Sequence, residues 1–443
     1  MAASVQPGSA GSRLNTREDA DDHHVSPSDI AVGVIIGRTS EFFDFFVFSI
    51  ACVLVFPARL FGFLGPVEGT LASFVLLALA FVARPVGTVI FMAVDRAVGR
   101  KAKLTASLLL LGTSTVAMGL VPSYDTLGWW AILIMAALRI GQGLALGGAW
   151  DGLPSLLALS VPREKRGFYA MIPQLGAPIG LFVAAVLYVY LLINVSAEEF
   201  IDWGWRYPFF VAFAINVVAL FARLRIVASP DFDTMLTSSE LNPTRIRPTL
   251  RQDGRGMVLG IFVPLASFAM FHMVTIFPLS WVFLYSNDAP ELVLYSLMLG
   301  SVAGIGSIVA SGYIADGIGR QRLLMLGALA IGAFALFGPL LLAAGREGAT
   351  IYIVLGFILL GLSFGQSSGV IASLFGKRNR YTASALVSSL SWMFGAGFAP
   401  LTALSVASYL GLWAAGIYLL SGAICTIVAI RMARRSEMEI TDE

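Results

Sequence analysis

About twelve apolar stretches, most near twenty residues long, follow one another along the chain with short polar turns between them. A helix of roughly twenty such residues crosses the ~30 Å hydrocarbon core of a bilayer. In lipid, only helices and closed barrels satisfy every backbone donor and acceptor. A barrel would alternate apolar and polar residues over segments of about ten, whereas these runs are continuous. The sequence therefore predicts an all-α polytopic membrane protein. Its 13% of charged residues agrees, since soluble domains carry about 25%. Spans are expected near 30–56, 68–94, 104–121, 128–152, 168–193 and 205–222, then near 257–285, 292–314, 323–344, 351–374, 382–408 and 411–430. The expected surrounding partner is the lipid bilayer, and a net charge of +2 leaves no footprint for nucleic acid.

The basic residues orient the spans. With a cytoplasmic N-terminus, the turns on that side hold Arg96, Arg100, Lys101 and Lys103, then Arg163, Lys165 and Arg166, then Arg320 and Arg322, then Lys377, Arg378 and Arg380. The opposite loops hold only Arg59 and Arg346, among acids such as Glu68, Asp125, Glu198, Asp202 and Asp288. The positive-inside rule then puts both termini in the cytoplasm. Residues 1–29 are polar, lack a cleavable signal pattern and read as a disordered cytoplasmic tail. Its His23-His24 pair has no further ligands at metal-site spacing. Neither a metal nor a cofactor is expected, and Cys52 and Cys425, both inside apolar runs, read as free thiols.

A linker near 223–256, with Pro230, Pro243 and Pro248, divides an N-terminal six-helix half (30–222) from a C-terminal one (257–430), and 431–443 form a second cytoplasmic tail. The halves echo each other. Gly99-Arg100-Lys101 follows the second span, and Asp316-Gly317-Ile318-Gly319-Arg320 follows the eighth. Repeats of this kind suggest a transporter with its site at the midplane between the halves.

The first span contains what an apolar run should not: Arg38, Glu41 and Asp44, wrapped in Phe42, Phe43, Phe45, Phe46 and Phe48. A charge at the bilayer centre costs roughly 2.5–3.5 kcal/mol on insertion scales and marks a bundle interior, a path or a site. At 1.5 Å per residue from Ile30, the three lie about 12, 16 and 21 Å along the helix, around the midplane. Successive members are three residues apart, so all three are expected to share roughly one face. In the fourth span Arg139 lies about 16 Å from Gly128, at similar depth. Two arginines and two carboxylates could therefore meet, either as a closed ion-pair network that fixes packing or as a titrating, cargo-binding site. An arginine released from its partner would bind a carboxylate by a two-pronged hydrogen bond; Arg139 is the first candidate and Arg38, committed to Glu41, the second. Gln142, Gln174 and Gln366 are either cargo contacts or interhelical links. Trp281 and Trp392 are either cavity walls or core, with a cage for a quaternary ammonium as one use. His272 reads as packing, Asp151 as a partner for a loop arginine, and Trp150 lies near the cytoplasmic end.

Several motifs resemble the major facilitator superfamily and, within it, the metabolite:proton symporters that carry shikimate, α-ketoglutarate, citrate and proline or betaine. They are Glu41-Phe42-Phe43-Asp44-Phe45, Ala83-Arg84-Pro85-Val86-Gly87 and Arg139-Ile140-Gly141-Gln142-Gly143, followed by Gly147-Gly148-Ala149-Trp150. Arg166-Gly167-Phe168-Tyr169, Pro173-Gln174-Leu175-Gly176 and Trp203-Gly204-Trp205-Arg206-Tyr207-Pro208-Phe209 extend the likeness, and Gly365-Gln366 and Gly395-Ala396-Gly397-Phe398-Ala399-Pro400 carry it into the second half. The resemblance implies the major facilitator fold, twelve transmembrane helices in two six-helix halves, working as a monomer on a small-molecule substrate and protons. It makes Asp44 the first and Glu41 the second proton-coupling residue. It also implies cytoplasmic gates from Arg84, Asp95, Arg96 and Arg100 in one half and Asp316 and Arg320 in the other, forming ion pairs that part as the halves rock. The first gating loop departs from the usual pattern: Arg96 and Ala97 stand where Asp and Arg are usual, and Asp95 is expected to replace the shifted acid.

Without a nucleotide-binding loop, metal cluster or nucleophile constellation, energy must come from an ion gradient. The expected function is a proton-coupled importer of a small organic acid across a bacterial inner membrane, not an enzyme. The alternatives are a metabolite or drug exporter, a betaine-like zwitterion importer, and a non-transporting sensor on a transporter fold.

Overall fold

A computed structural model describes residues 27–149, 157, 161–227, 242–376 and 378–441. Trp150, Asp151, the tail up to residue 26, residues 228–241 of the linker and Lys377 lie outside the described residues. The described chain is almost entirely helical. We number the long helices α1 (Pro27–Leu54), α2 (Pro66–Val98), α3 (Arg100–Gly119), α4 (Trp129–Gly148), α5 (Arg166–Asn194) and α6 (Tyr207–Val227). After the linker come α7 (Ile246–Tyr285), α8 (Pro290–Ile318), α9 (Arg320–Ala343), α10 (Gly345–Ser373), α11 (Arg380–Leu410) and α12 (Ala415–Thr441). Among the described residues eleven stretches are long and apolar enough to cross a membrane, and α1 stands outside that set. It carries Arg38, Glu41 and Asp44 within one window, so the charges that make it interesting also dilute its hydropathy.

The packing repeats after six helices. In the first half α2 packs on α4, α3 on α4 and α6, and α1 on α6; in the second α8 packs on α10, α9 on α10 and α12, and α7 on α12. The turns repeat as well. Gly99 (φ 96°) and Gly319 (φ 90°) each form a one-residue link from α2 to α3 and from α8 to α9. Side chains rarely adopt that conformation, so a glycine stands at both places. The halves meet along α5 and α8, α2 and α11, and α1 and α7.

Three boundaries differ from expectation. Helix α6 continues to Val227, so Arg223, expected in the linker, is a buried helical residue. The linker turns helical again at Ile246, well before 257. Helix α12 runs through most of the expected tail, to Thr441. In each case the apolar run ends before the helix does, because backbone hydrogen bonding continues once the helix leaves the lipid.

Breaks mark the helices that line the centre. Helix α5 has a 3-10 turn at Ile172–Leu175, α7 bends at Pro264 and Thr275, and α11 has a π-helical turn at Met393–Gly397. Between the halves lies an aromatic core. Phe46 stacks on Phe271 with centroids 5.6 Å apart, Phe42 approaches Trp392 at 5.9 Å, and Phe268 stacks on Trp392 at 4.6 Å. Aromatic pairs at such separations add about 0.5–1.5 kcal/mol beyond the area they bury.

Candidate functional site

The charges of α1 divide into two clusters. At about 100° per residue, Asp44 is turned roughly 60° from Glu41 and 120° from Arg38. The three therefore do not share one face, contrary to the spacing argument. Arg38 donates to Glu41 Oε2 at 2.6 Å, and Arg223 Nη2 donates to Glu41 Oε1 at 2.6 Å. Arg223 reaches Glu41 by crossing α1 at Gly37, where a Cβ would collide with its guanidinium. The Glu41 carboxylate is thus clamped between two arginines, one from its own helix and one from α6.

Asp44 points the other way, into the first six helices, and is 1% exposed. Its carboxylate receives Thr115 Oγ1 at 2.7 Å, Gln142 Nε2 at 2.8 Å and Asn216 Nδ2 at 3.0 Å. Asn216 is itself oriented by the Ser40 hydroxyl, which donates to its Oδ1 at 2.5 Å. Arg139 donates to Gln142 Oε1, which fixes the amide with its NH2 toward Asp44. The Arg139 guanidinium lies 4.0 Å over the Phe48 ring. It reaches Asp44 only through Gln142.

A cavity of about 360 Å³, including its mouth, lies between the halves. Its lining includes Arg38, Glu41 and Arg84 from the first half and Trp392 from the second, with Phe42, Phe45, Phe81 and Leu146 as apolar wall. That mix, an apolar wall with a few charged groups, is the kind of lining that orients a small molecule. Arg84 sits 5.8 Å from the Trp392 ring centroid, and its Nε has no hydrogen-bond partner among the described residues. With Arg223 behind Glu41, three guanidiniums meet one carboxylate, so the cavity carries a surplus of positive charge.

Other expected site residues fall elsewhere. Arg139 and Gln142 are buried with Asp44 and do not line the cavity, because α4 turns them toward α1 and α3. Gln174 is buried in the 3-10 turn of α5 against α1. Trp281 lines a separate cavity of about 600 Å³ with Tyr285, Asp288 and Arg346, at the end of the bundle away from the Gly99 and Gly319 turns. Gln366 donates to Gly167 O at 3.1 Å and so ties α10 to α5. His272 is fully buried among Phe45, Phe81 and Phe271.

The expected gate residues also separate. Arg84 belongs to the cavity, because it lies more than two helical turns from the Gly99 turn. Asp95 pairs with Arg100 at 3.5 Å and Lys103 at 3.3 Å, and accepts the Tyr381 hydroxyl of α11 at 3.0 Å. Lys103 donates to Tyr381 at 2.8 Å, and Arg100 lies 4.5 Å over its ring. Asp316 makes no ion pair among the described residues. It accepts the backbone N–H groups of Gly167 at 2.6 Å and Phe168 at 3.1 Å, at the start of α5. Arg320 stays within its own half, donating to Gly369 O at 3.4 Å, and exposed Arg96 donates to Thr244 O at 3.1 Å in the linker. Thr88 and Ser389, 2.8 Å apart, join α2 to α11 between this layer and the cavity.

Sequence reasoning missed Arg223, Asn216, Thr115, Lys103 and Tyr381. Asn216 did carry a signal, as a lone amide inside the apolar run Ala212-Phe213-Ala214-Ile215-Asn216-Val217-Val218. Tyr381 stands in the run Arg378-Asn379-Arg380-Tyr381-Thr382, which belongs to the family resemblance but names no partner for it; Thr115 carried no signal, since threonines recur on many faces.

Residues 34–400 match the Major Facilitator Superfamily. The Inner membrane metabolite transport protein YhjE of Escherichia coli (strain K12) is 35% identical over 422 residues, covering 93% of this chain and 95% of that protein. The Shikimate transporter of the same organism is 29% identical over 419 residues, 92% of this chain and 94% of the other. Among solved structures, that of a D-xylose-proton symporter superposes with a TM-score of 0.70 at 17% identity, covering 90% of this chain and 97% of that one, a likeness of fold. The repeated six-helix packing, the charged first helix facing a cavity between the halves, and the match over most of the chain lead to one conclusion: the protein is a multi-pass member of the Major Facilitator Superfamily, a transporter and not an enzyme.

Proposed function

We propose that the protein is a proton-coupled symporter that imports a small organic acid across a bacterial inner membrane by alternating access, with both termini in the cytoplasm. The observation that carries this reading is the surplus of guanidinium charge in an aromatic-walled cavity between the halves. Arg84 has the donor capacity for a carboxylate, because its Nε is unpaired there. Planar guanidinium groups bind carboxylates with two parallel hydrogen bonds. The relative named a shikimate transporter favours the same class of cargo.

Asp44 is the proton carrier in this reading. Three neutral side chains hold it, whereas Glu41 is charge-matched by two arginines and stays as the fixed anion of the cavity. Protonation of Asp44 would turn one carboxylate oxygen into a donor facing Thr115, Gln142 or Asn216. The Thr115 hydroxyl can accept that proton by turning its own hydrogen to Leu111 O, whereas a proton facing the NH2 of Gln142 or Asn216 breaks that contact and loosens α1 from α4 or α6. That is a route from proton binding to helix movement. The Asp95–Tyr381 and Asp316–Gly167 contacts close one side, and the Phe46–Phe271 stack closes the other.

The test is uptake into proteoliposomes under an imposed inward proton gradient, across a panel of mono- and dicarboxylates. Gradient-stimulated uptake of at least one acid, lost with Arg84→Gln, is expected. No stimulated uptake of any acid overturns the proposal. A second reading, a betaine-like zwitterion, draws on Trp392, Phe42 and Phe81 beside Glu41 in the same wall. Selective uptake of quaternary ammonium carboxylates would decide for it.

A further inference from the structure

The segment Ile246–Phe262 opens α7 before its bend at Pro264 and carries more charge than any membrane-crossing part of the second half. Arg247, Arg251 and Arg255 are exposed and four residues apart. At about 100° per residue they fall within an arc of about 80°, a single stripe about 12 Å long. Val258, 56% exposed, lies within the same arc about one turn beyond Arg255. The stripe thus runs from arginines into an apolar residue on an outward face, the order in which a helix side enters the headgroup layer and then lipid. Leu250 is exposed beside it.

The opposite face is already occupied. Thr249, Met257, Gly260 and Ile261 are buried, and Met257 and Ile261 pack on Phe375, Leu386 and Val387. The acid of the segment, Asp253, accepts from Asn379 Nδ2 of the turn before α11 at 2.7 Å. It is therefore turned away from the arginines, and Arg247, Arg251 and Arg255 make no ion pair with the described residues. Three guanidiniums on an outward face, without counter-charge among the described residues, match one occupant in shape and sign: a row of anionic phosphodiester headgroups.

We propose that Arg247, Arg251 and Arg255 form a docking stripe for anionic phospholipid headgroups. The stripe bears on a junction of both halves. Thr244, just before it, accepts from Arg96 through its carbonyl and donates its N–H to Thr382 Oγ1 at 2.8 Å. A lipid held on the stripe fixes this segment against the Asp95–Tyr381 gate next to it. Basic residues near an anionic surface each add attraction that salt weakens.

The test uses full-length protein reconstituted in vesicles of phosphatidylcholine with phosphatidylglycerol as the minor component. Native discs are cut out with a styrene–maleic acid polymer, and the retained lipid is measured by mass spectrometry. Phosphatidylglycerol is expected to be enriched about two- to fivefold over the bulk at low salt and to approach the bulk ratio at high salt. The triple variant Arg247→Gln, Arg251→Gln, Arg255→Gln is expected to lose the enrichment. A control altering Lys101→Gln and Arg322→Gln, exposed on the same side, should keep it. Should the triple variant fail to fold, each single variant is expected to give a partial loss. Absence of enrichment in the parent protein, or equal enrichment in the stripe variants, overturns the proposal. The readout is independent of transport, so it stands or falls apart from the proposed cargo.

Discussion

Replacing Arg223 by methionine keeps the length and apolar stem of the side chain and removes one of the two guanidiniums on Glu41. Both groups are buried, with side chains 5% and 10% exposed, and the contact is 2.6 Å. Unit charges about 4 Å apart at an effective dielectric near 20 attract by about 4 kcal/mol. Removing one partner of a buried pair costs about 3–5 kcal/mol, because the other is left uncompensated. Arg38 remains on the second oxygen at 2.6 Å, so we expect the low end, about 3 kcal/mol. Glu41→Gln should cost a similar amount, since it leaves Arg38 and Arg223 facing each other without their anion. The double variant removes both faults and should cost clearly less than the sum, with a coupling of at least about 2 kcal/mol. The assay is equilibrium unfolding in mixed micelles by titration with sodium dodecyl sulfate, read by tryptophan fluorescence for all four proteins. Additivity within about 0.5 kcal/mol, or a neutral Arg223→Met, would refute the clamp.

Three further outcomes follow from the same geometry. Arg84→Gln should weaken binding of the transported acid by about tenfold or more in thermal-shift titrations, as expected for losing a charge-assisted hydrogen bond. Arg139→Gln, whose guanidinium does not reach the cavity, should affect binding far less, and the reverse ranking would undo the assignment. Asp44→Asn should abolish accumulation driven by a proton gradient while leaving exchange of labelled for unlabelled cargo; loss of both, or of neither, contradicts its role. Tyr381→Phe removes the hydroxyl that joins Asp95 and Lys103 across the halves, worth about 1–2 kcal/mol, or roughly a 5- to 30-fold shift toward the open gate. Faster alkylation of a cysteine placed at Ser389, in a background without Cys52 and Cys425, would report it, and an unchanged rate would count against the gate.

Much of the architecture is legible in the sequence. The apolar runs, the basic turns after the second and eighth spans, and the linker between the halves led to the same arrangement of helices. The pair Arg38–Glu41 was legible too, because opposite charges three apart on one helix are within reach of each other. Asp44 shows the limit of that reasoning. Its place along the helix follows from the sequence, but a rotation of about 120° from Arg38 gives it wholly different neighbours. Arg139 was chosen for depth and charge, yet Gln142, one turn along its own helix, intercepts it. Arg84 was read as a gate from its motif, and it lies with Trp392, more than three hundred residues away in sequence.

The division has a physical cause. Lipid imposes a strict rule on each span separately: satisfy the backbone within the helix and show apolar side chains. Span number, span type and intrahelical pairs are consequences of that local rule, so the sequence by itself determined them. Inside the bundle, however, each helix has neighbours on several sides, all largely apolar, and periodicity no longer says which face meets which helix. The clamp of Glu41 by Arg223, the donor cage of Asp44 and the bridge of Asp95 to Tyr381 join residues 182, 172 and 286 positions apart. Only the packing of α1 against α6, and of α2 and α3 against α11, brings those groups within reach, and so only the tertiary structure decided what the charges in the first helix do.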